Sequence, residues 1–228
     1  MITDPPLLTL RRNFPRPTKE QVAAFTGVQT GHAVDAMQGS GALDGRIKSI
    51  GGVNPFCGVA VPAADGPADN LATFGALAVS QPGDVIVSAT GGFTGVAVIG
   101  DLLLGMMKNS GCAAFVTDGF VRDVVGIRGV GLPCYAAGVT PNSPARNGPG
   151  TVGLPVMVGG TMVGPGDIVL GDEDGVVVVP FARIDEIIER LAKVKGAEAD
   201  LEAKVKAGLK MPDFIQSRID AGLFNEID

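Results

Sequence analysis

Glycine punctuates this chain, occupying 34 of 228 positions, most of them between short β-branched runs. That is about double the usual share. No G-X-Y period accompanies it, so the pattern is not fibrous. It is the pattern of many tight turns joining short strands in a compact α/β or all-β body. Two triplets, Pro82-Gly83-Asp84 and Pro165-Gly166-Asp167, each stand directly before such a run. Proline at i+1 and glycine at i+2 make a type II turn, so each triplet launches a strand. Nothing else in their flanks matches, so they do not mark an internal repeat.

Strands are predicted over 58–61, 84–87, 96–99, 113–116, 156–158, 168–170 and 176–179. Thr18-Lys19-Glu20-Gln21 has the form of a capping box, which starts a short helix after Thr18. Further helices are predicted near 32–38, over 71–78 and over 102–110. At the C-terminus Ile184, Ile187, Ile188, Leu191 and Val194 recur at helical spacing with charges between them. Gly196 is expected to interrupt that helix before Leu201, Val205 and Leu209 continue the stripe. The reading is one α/β domain with a mixed β-sheet flanked by helices, over 18–195. A Pro-rich arm over 1–17 precedes it, carrying Arg11, Arg12 and Arg16, and a helical extension over 196–228 follows.

Composition narrows the function. With 46% hydrophobic and 18% charged residues the chain is not a disordered one. No apolar run is long enough for a membrane helix, and Met1-Ile2-Thr3-Asp4-Pro5-Pro6 lacks the form of a signal peptide. A net charge of −6 argues against a nucleic-acid surface. Cys57, Cys112 and Cys134 fit buried thiols in a reducing cytoplasm better than a disulfide frame or a zinc site. The single histidine, His32, reads as a packing or capping residue. Chemistry must therefore rest on carboxylates, arginine, backbone amides or a metal held by oxygen. Asp172-Glu173-Asp174-Gly175 lacks EF-hand spacing and reads as a turn. There is no Walker loop and no G-x-G-x-x-G after a strand, so nucleotide binding and methyl transfer have no support.

One segment can build a site. The strand over 96–99 ends at Gly100, and Asp101 follows at an N-cap position before Leu102-Leu103-Leu104. A helix of about ten residues travels about 15 Å out. The next strand, over 112–118, travels about 20 Å back. Arg122 and Asp123 therefore return beside Asp101. The free amides of Leu102 and Leu103 suit a carboxylate or phosphate. Arg122 offers a planar fork for a carboxylate or a 2-oxo oxygen. Asp123 and Asp101 supply hard oxygen donors, for which Mg2+ or Mn2+ is the natural cation. The set suits a small 2-oxo acid and the enolate formed when its C–C bond breaks. Spacing alone leaves a second reading open, since an Asp at a helix start is most often only a cap. Arg146 and Asn147 sit in a Pro/Gly-rich loop over 140–150 that would cover such a site, with Arg146 a candidate second anion clamp.

Asp101, twenty residues and then Arg122-Asp123 form a D-x20-R-D signature. GDLL (100–103), VTDGFVRD (116–123), GLPCYAAGVTP (131–141) and GGTMVGPGDIVLGDEDGVVVVP (159–180) flank it in order. With these blocks the chain, over about 18–190, resembles the RraA-like superfamily. Its members include 4-hydroxy-4-methyl-2-oxoglutarate and 4-carboxy-4-hydroxy-2-oxoadipate aldolases, oxaloacetate decarboxylases and the regulator of ribonuclease activity A. The resemblance implies a swivelling-domain-like fold assembled as trimers or hexamers with sites between subunits. It implies that Asp123 ligates Mg2+ or Mn2+ and that Arg122 binds the pyruvyl oxygens and steadies the enolate. The amides of Leu102 and Leu103 would hold the carboxylate, and Asp101 would orient a metal-associated water that moves protons. The aldolase branch extends the signature to R-D-x2-E/D; here that position is Gly126. This puts aldol cleavage of the large dicarboxylic substrates in question, whereas oxaloacetate decarboxylation needs only the shorter signature.

Two functions follow. One is a divalent-metal-dependent lyase that releases pyruvate from small 2-oxo acids through an enolate. The other is an RraA-like regulator that binds ribonuclease E through its outer surface without catalysis, a reading that rests on fold analogy.

Overall fold

The strand Asp84–Ala89 is buried at all six positions, which requires a sheet covered on both faces. The computed structural model describes residues 3–52, 55–225 and 227. In chain order the elements are β1 (Leu8–Leu10), α1 (Lys19–Phe25), α2 (Thr30–Ala36), β2 (Lys48–Ser49), β3 (Phe56–Ala64), α3 (Leu71–Ala76) and β4 (Asp84–Ala89). They continue with β5 (Ala97–Ile99), α4 (Asp101–Asn109), β6 (Ala114–Thr117), β7 (Phe120–Val121), α5 (Val124–Val130), β8 (Cys134–Ala136), β9 (Gly138–Val139) and β10 (Gly150–Val152). The last are β11 (Val156–Val158), β12 (Thr161–Val163), β13 (Ile168–Gly171), β14 (Val176–Val179), α6 (Ile184–Lys206) and α7 (Asp213–Asp220). Two compact units, Met1–Leu191 and Ala192–Asp228, divide the chain.

The first unit is built on a nine-stranded mixed sheet with the path β1-β10-β3-β4-β6-β8-β2. The run β3-β4-β6-β8 is parallel. β13 pairs antiparallel with the first half of β3 and with β14, while β10 takes the second half. Side-chain alternation divides the core in two. From β4 and β6, Ile86 and Phe115 join Val61, Leu104, Met107 and Ile127 on one face. Val85, Val87 and Val116 join Ile47, Tyr135, Val158 and Val178 on the other. Two small sheets, β11-β12 and β5-β7-β9, stand apart from the main one.

Local chemistry explains most of these boundaries. Both capping-box bonds at Thr18 form: Gln21 N–H donates to Thr18 Oγ1 at 3.2 Å, and Thr18 N–H to Gln21 Oε1 at 2.9 Å. Gly83 and Gly166 hold φ +90° and +91° at the third position of their turns, as type II geometry requires. Asp84 N–H closes one turn on Gln81 O at 3.0 Å, and Asp167 N–H closes the other on Gly164 O at 3.2 Å.

Within the segment read as an arm, β1 pairs parallel with β10, and Leu8 and Leu10 pack on the core. Arg16 anchors the same segment, donating to both oxygens of the buried Asp84 carboxylate at 2.6 and 2.9 Å. The helix α6 runs through Gly196 without the expected break. A glycine inside an exposed helix costs about 1 kcal/mol against alanine, too little to stop one that continues on both sides. In the second unit Leu201, Val205, Phe214, Ile219 and Phe224 are exposed. Among the described residues no helix is long and apolar enough to cross a membrane.

The turn over 172–175 is held by one carboxylate. Asp172 accepts from Thr30 N–H and Thr30 Oγ1 at 2.8 Å each, and from Asp174 N–H at 2.9 Å. Burial alone would raise its pKa, but the bonds from Thr30, Asp174 and Gly175 together lower it. A lowered carboxyl stabilises the fold above the unfolded pKa of about 3.9, and that stability is lost as pH falls through the lower folded value. Thr30→Val should therefore lose about 1 kcal/mol at neutral pH, and less of it as the carboxyl protonates. Urea unfolding of both proteins at pH 7 and near pH 2 measures this.

Candidate active site

β5 and β7 are parallel neighbours, with β9 on the far side of β7. Parallel neighbours end at the same edge, so the residues that follow them meet. After β5 come Gly100 and the start of α4; after β7 come Arg122, Asp123 and the start of α5. Arg122 N–H donates to Ile99 O at 3.0 Å and ties the two crossings together. The return from α4 is made in two pieces, β6 in the main sheet and β7 in the small one.

The two helix starts interlock through glycine. A Cβ at Gly100 would lie 2.3 Å from Asp123 Oδ2, and a Cβ at Gly126 would lie 2.0 Å from Asp101 Oδ2. Each carboxylate thus occupies the notch left by the other segment's glycine. This corrects the expected cap: Gly100 is the N-cap of α4, and Asp101 is its first helical residue. It also gives position 126 a physical account, because Asp101 fills the space that a side chain there would need.

Asp123 holds a left-handed backbone, φ 60° and ψ 45°, which lets β7 turn straight into α5. Aspartate is among the few non-glycine residues that tolerate this region. Its side chain makes no capping bond to the helix it begins. Instead Oδ2 lies 3.3 Å from Arg122 Nε, and both side chains are over a third exposed. Such a pair contributes at most about 1 kcal/mol to stability. Arg122 also donates through Nη1 to Ser143 Oγ. Its guanidinium is therefore oriented from both sides. At the start of α4 the amides of Asp101, Leu102 and Leu103 have no intrahelical acceptor. Leu103 is buried, while Leu102 is 78% exposed.

These groups line one cleft of about 300 Å3. It is lined by Gly100, Asp101, Leu102, Leu103, Met106, Arg122 and Asp123 together with Asn70, Phe74, Pro144 and Arg146. The loop over 140–150 contributes Pro144 and Arg146 to that lining and is pinned to β5 by Ala97 N–H on Asn142 O at 3.0 Å. Asn70, Phe74 and Ser143 escape sequence reasoning. Asn70 precedes α3 as a cap would, yet it makes no side-chain cap bond. Its Nδ2 donates to Val98 O at 2.7 Å, and its buried Oδ1 has no partner among the described residues. A larger cavity of about 460 Å3, lined by Arg46, Asp118, Phe120 and Met157, contains none of the predicted residues.

Other side chains are set aside by their surroundings. Burial pushes the thiols of Cys57 up to about 11 and Cys134 up to about 12, so neither is a nucleophile at neutral pH. His32 lies in α2 and does not line the cleft.

Gly126 carries a test of the interlock. Inside a helix Gly→Ala ordinarily gains about 0.5–1 kcal/mol. Here the new Cβ would also stand 2.6 Å from the Cβ of Asp101, which no side-chain rotation relieves. Gly126→Ala should reverse the sign and lose about 1–3 kcal/mol in urea unfolding; a gain would show that the two helix starts are not in contact.

Comparison with known proteins follows the geometry. The family model RraA-like (Aldolase/RraA) matches residues 30–178. A Halalkalibacterium halodurans protein named "Putative 4-hydroxy-4-methyl-2-oxoglutarate aldolase" is 33% identical over 186 residues, 82% of this chain and 87% of that one. Streptomyces coelicolor RraAS2, described as an unusual member of the RNase ES inhibitor RraA protein family, has a similar structure. Its TM-score is 0.74 at 29% identity, over 83% of this chain and all of that one. The RNA-processing inhibitor RraA from Thermus thermophilis gives 0.62 at 31% identity, over 67% of this chain and 93% of that one. The family model over residues 30–178 and the 33% identity to the aldolase-named relative, on this fold, place the chain in the RraA-like family.

Proposed function

We propose that this protein is a divalent-metal-dependent C–C lyase that acts on small 2-oxo acids and releases pyruvate through an enolate. The activity would be of the 4-hydroxy-4-methyl-2-oxoglutarate aldolase type, the oxaloacetate decarboxylase type, or both. The observation that carries the proposal is the gathering of the α4 amides, Arg122 and two carboxylates around one cleft. Kinship to the named aldolase supports it.

The residues fit Mg2+ or Mn2+. Asp123 offers a half-exposed carboxylate that caps nothing, and Asp101 lies at the same edge. Among the described residues no group of three or more His, Cys, Asp or Glu could hold a metal. The proposed ion would therefore rest on few carboxylates, with waters filling its shell. Asp123 would hold the ion, which when bound supplies charge that offsets the enolate. The Leu102 and Leu103 amides bind the substrate's carboxylate. Arg122 donates to the 2-oxo oxygen and stabilises the negative charge that grows there as the adjacent C–C bond breaks. Asp101 orients a water that delivers a proton to the methylene carbon and regains one from solvent, giving pyruvate. Exposed Leu102, Met106 and Val125 surround these residues. They are consistent with a neighbouring subunit at this edge; assembly as a homotrimer or hexamer and a cytoplasmic location belong to the proposal by resemblance to the family.

Purified protein with Mg2+ should release pyruvate from oxaloacetate or a 4-hydroxy-2-oxo acid, read by coupled reduction. EDTA or Asp123→Ala should abolish release, and Arg122→Ala should lower kcat by about 100-fold or more. Full activity after chelation or in Asp123→Ala defeats the mechanism.

A second reading is a regulator that binds ribonuclease E. The likeness to two RraA structures favours it, and a net charge of −6 complements an arginine-rich segment. Capture of that arginine-rich region by wild type and Arg122→Ala alike, without pyruvate release, would favour it over the lyase.

A further inference from the structure

The end of α6 leaves its apolar side chains in solvent. Ile184, Ile187 and Leu191 are buried, but every residue from Lys195 to Lys206 is exposed. Leu201 and Val205 are among these, four residues apart, and so form one apolar stripe on the helix. Phe214, Ile219 and Phe224 add exposed apolar surface further along, and α7 buries none of its residues. All of this lies beyond residue 178, where the family match ends.

The charges beside the stripe are ordered. At about 100° of helix per residue, Glu202 and Lys206 run along one side of it, and Asp200 and Lys204 along the other. On both sides the acid comes first and the lysine follows four residues later. Within one chain Lys206 Nζ already reaches Glu202 Oε1 at 2.5 Å, with both side chains largely exposed. A second copy laid alongside in the same direction would set acid against acid and lysine against lysine. Laid antiparallel about a two-fold axis near residue 203, it sets Leu201 against Val205, Glu202 against Lys206 and Asp200 against Lys204 across the axis. The pattern is therefore complementary to itself, as a two-fold contact requires and a foreign partner does not. Acidic and basic residues nearly balance over 192–228, which suits neither an anionic membrane nor nucleic acid.

We propose that the end of α6 is a self-association surface on which a second copy of this chain docks antiparallel. Leu201 and Val205 form its centre, and Asp200, Glu202, Lys204 and Lys206 set its direction. Such a contact joins copies in pairs, so it doubles whatever assembly the first units form. The stripe is smaller than a standard interface of about 800 Å2 per partner, which makes the pairing dependent on concentration. The proposal does not depend on the chemistry of the cleft.

Analytical ultracentrifugation of the full chain over a concentration series reads the assembled mass. Asp200→Lys with Glu202→Lys makes both sides of the stripe basic, and Lys204→Glu with Lys206→Glu makes both acidic. At high concentration the wild type should have twice the mass of either double variant, whose copies repel one another. An equimolar mixture of the two double variants should regain the wild-type mass. A chain carrying all four substitutions should regain it alone, because the order of acid and lysine is then only reversed. A wild type no heavier than the double variants, or double variants that keep the wild-type mass, overturns the proposal. Failure of the mixture or of the fourfold variant to regain the mass overturns it as well, since the charges then serve only the helix of their own chain.

Discussion

Two carboxylates seated in two glycine notches set the geometry on which the rest of this cleft depends. Asp123 can lie over the start of α4 only because residue 100 has no side chain, and Asp101 can lie against α5 only because residue 126 has none. Neither constraint concerns glycine's backbone freedom at Gly100, whose φ of −126° is ordinary for any residue. Both concern the approach of a neighbour. The contact brings two acids to one edge of a small sheet while Arg122 N–H on Ile99 O holds the strands at fixed separation. Without it α4 and α5 would stand further apart, and the α4 amides would no longer face Arg122.

Such an edge needs a rigid floor. β4 and β6 supply it by burying both faces, so that the helices on one side cannot shift without disturbing packing on the other. The cleft sits beyond this core, beside the small sheet, where water reaches the charged groups. Its charged lining is balanced, with Arg122 and Arg146 against Asp101 and Asp123. An anionic ligand entering alone would tip that balance towards negative. A ligand with a divalent cation would not, and this favours binding of the two together.

Much of this was legible in the sequence, for local reasons. The capping box at Thr18 and the turns at Gly83 and Gly166 are decided within four residues, and periodicity or β-branching marks the longer elements. The meeting of Asp101 with Arg122-Asp123 was expected from rise per residue along one returning strand, whereas the return is shared by β6 and β7. What stayed hidden is non-local. β7 has two residues and no periodicity to detect, yet it aligns Arg122 with Ile99. β1 lies in a Pro-rich stretch and becomes a strand only because β10 offers an edge. Asn70, Phe74 and Asp69 belong to the cleft and its supports through contacts with a loop some 75 residues away in sequence. Gly100 rather than Asp101 caps α4, and the Asp101 carboxylate lies instead against Gly126, a neighbour that no local rule includes.

The two reactions proposed for this cleft differ by one proton. Decarboxylation breaks the C3–C4 bond of oxaloacetate, sends the electron pair toward the 2-oxo group, and lets carbon dioxide leave with no hydroxyl to deprotonate. Aldol cleavage must also remove the proton of the C4 hydroxyl, so it needs a base beyond the groups that stabilise the enolate. Arg122 and the α4 amides would serve both reactions equally, since in the proposed binding mode they address the half of the substrate that the two share. The difference falls on the opposite half. There Gly126 offers no acid, and the space at its Cα is taken by Asp101. Asp101 would then have to remove a proton before cleavage and return one after it for aldol chemistry, but only return one for decarboxylation. The economy of acids at this edge thus favours the reaction with fewer proton transfers, unless a neighbouring subunit brings another carboxylate to the cleft.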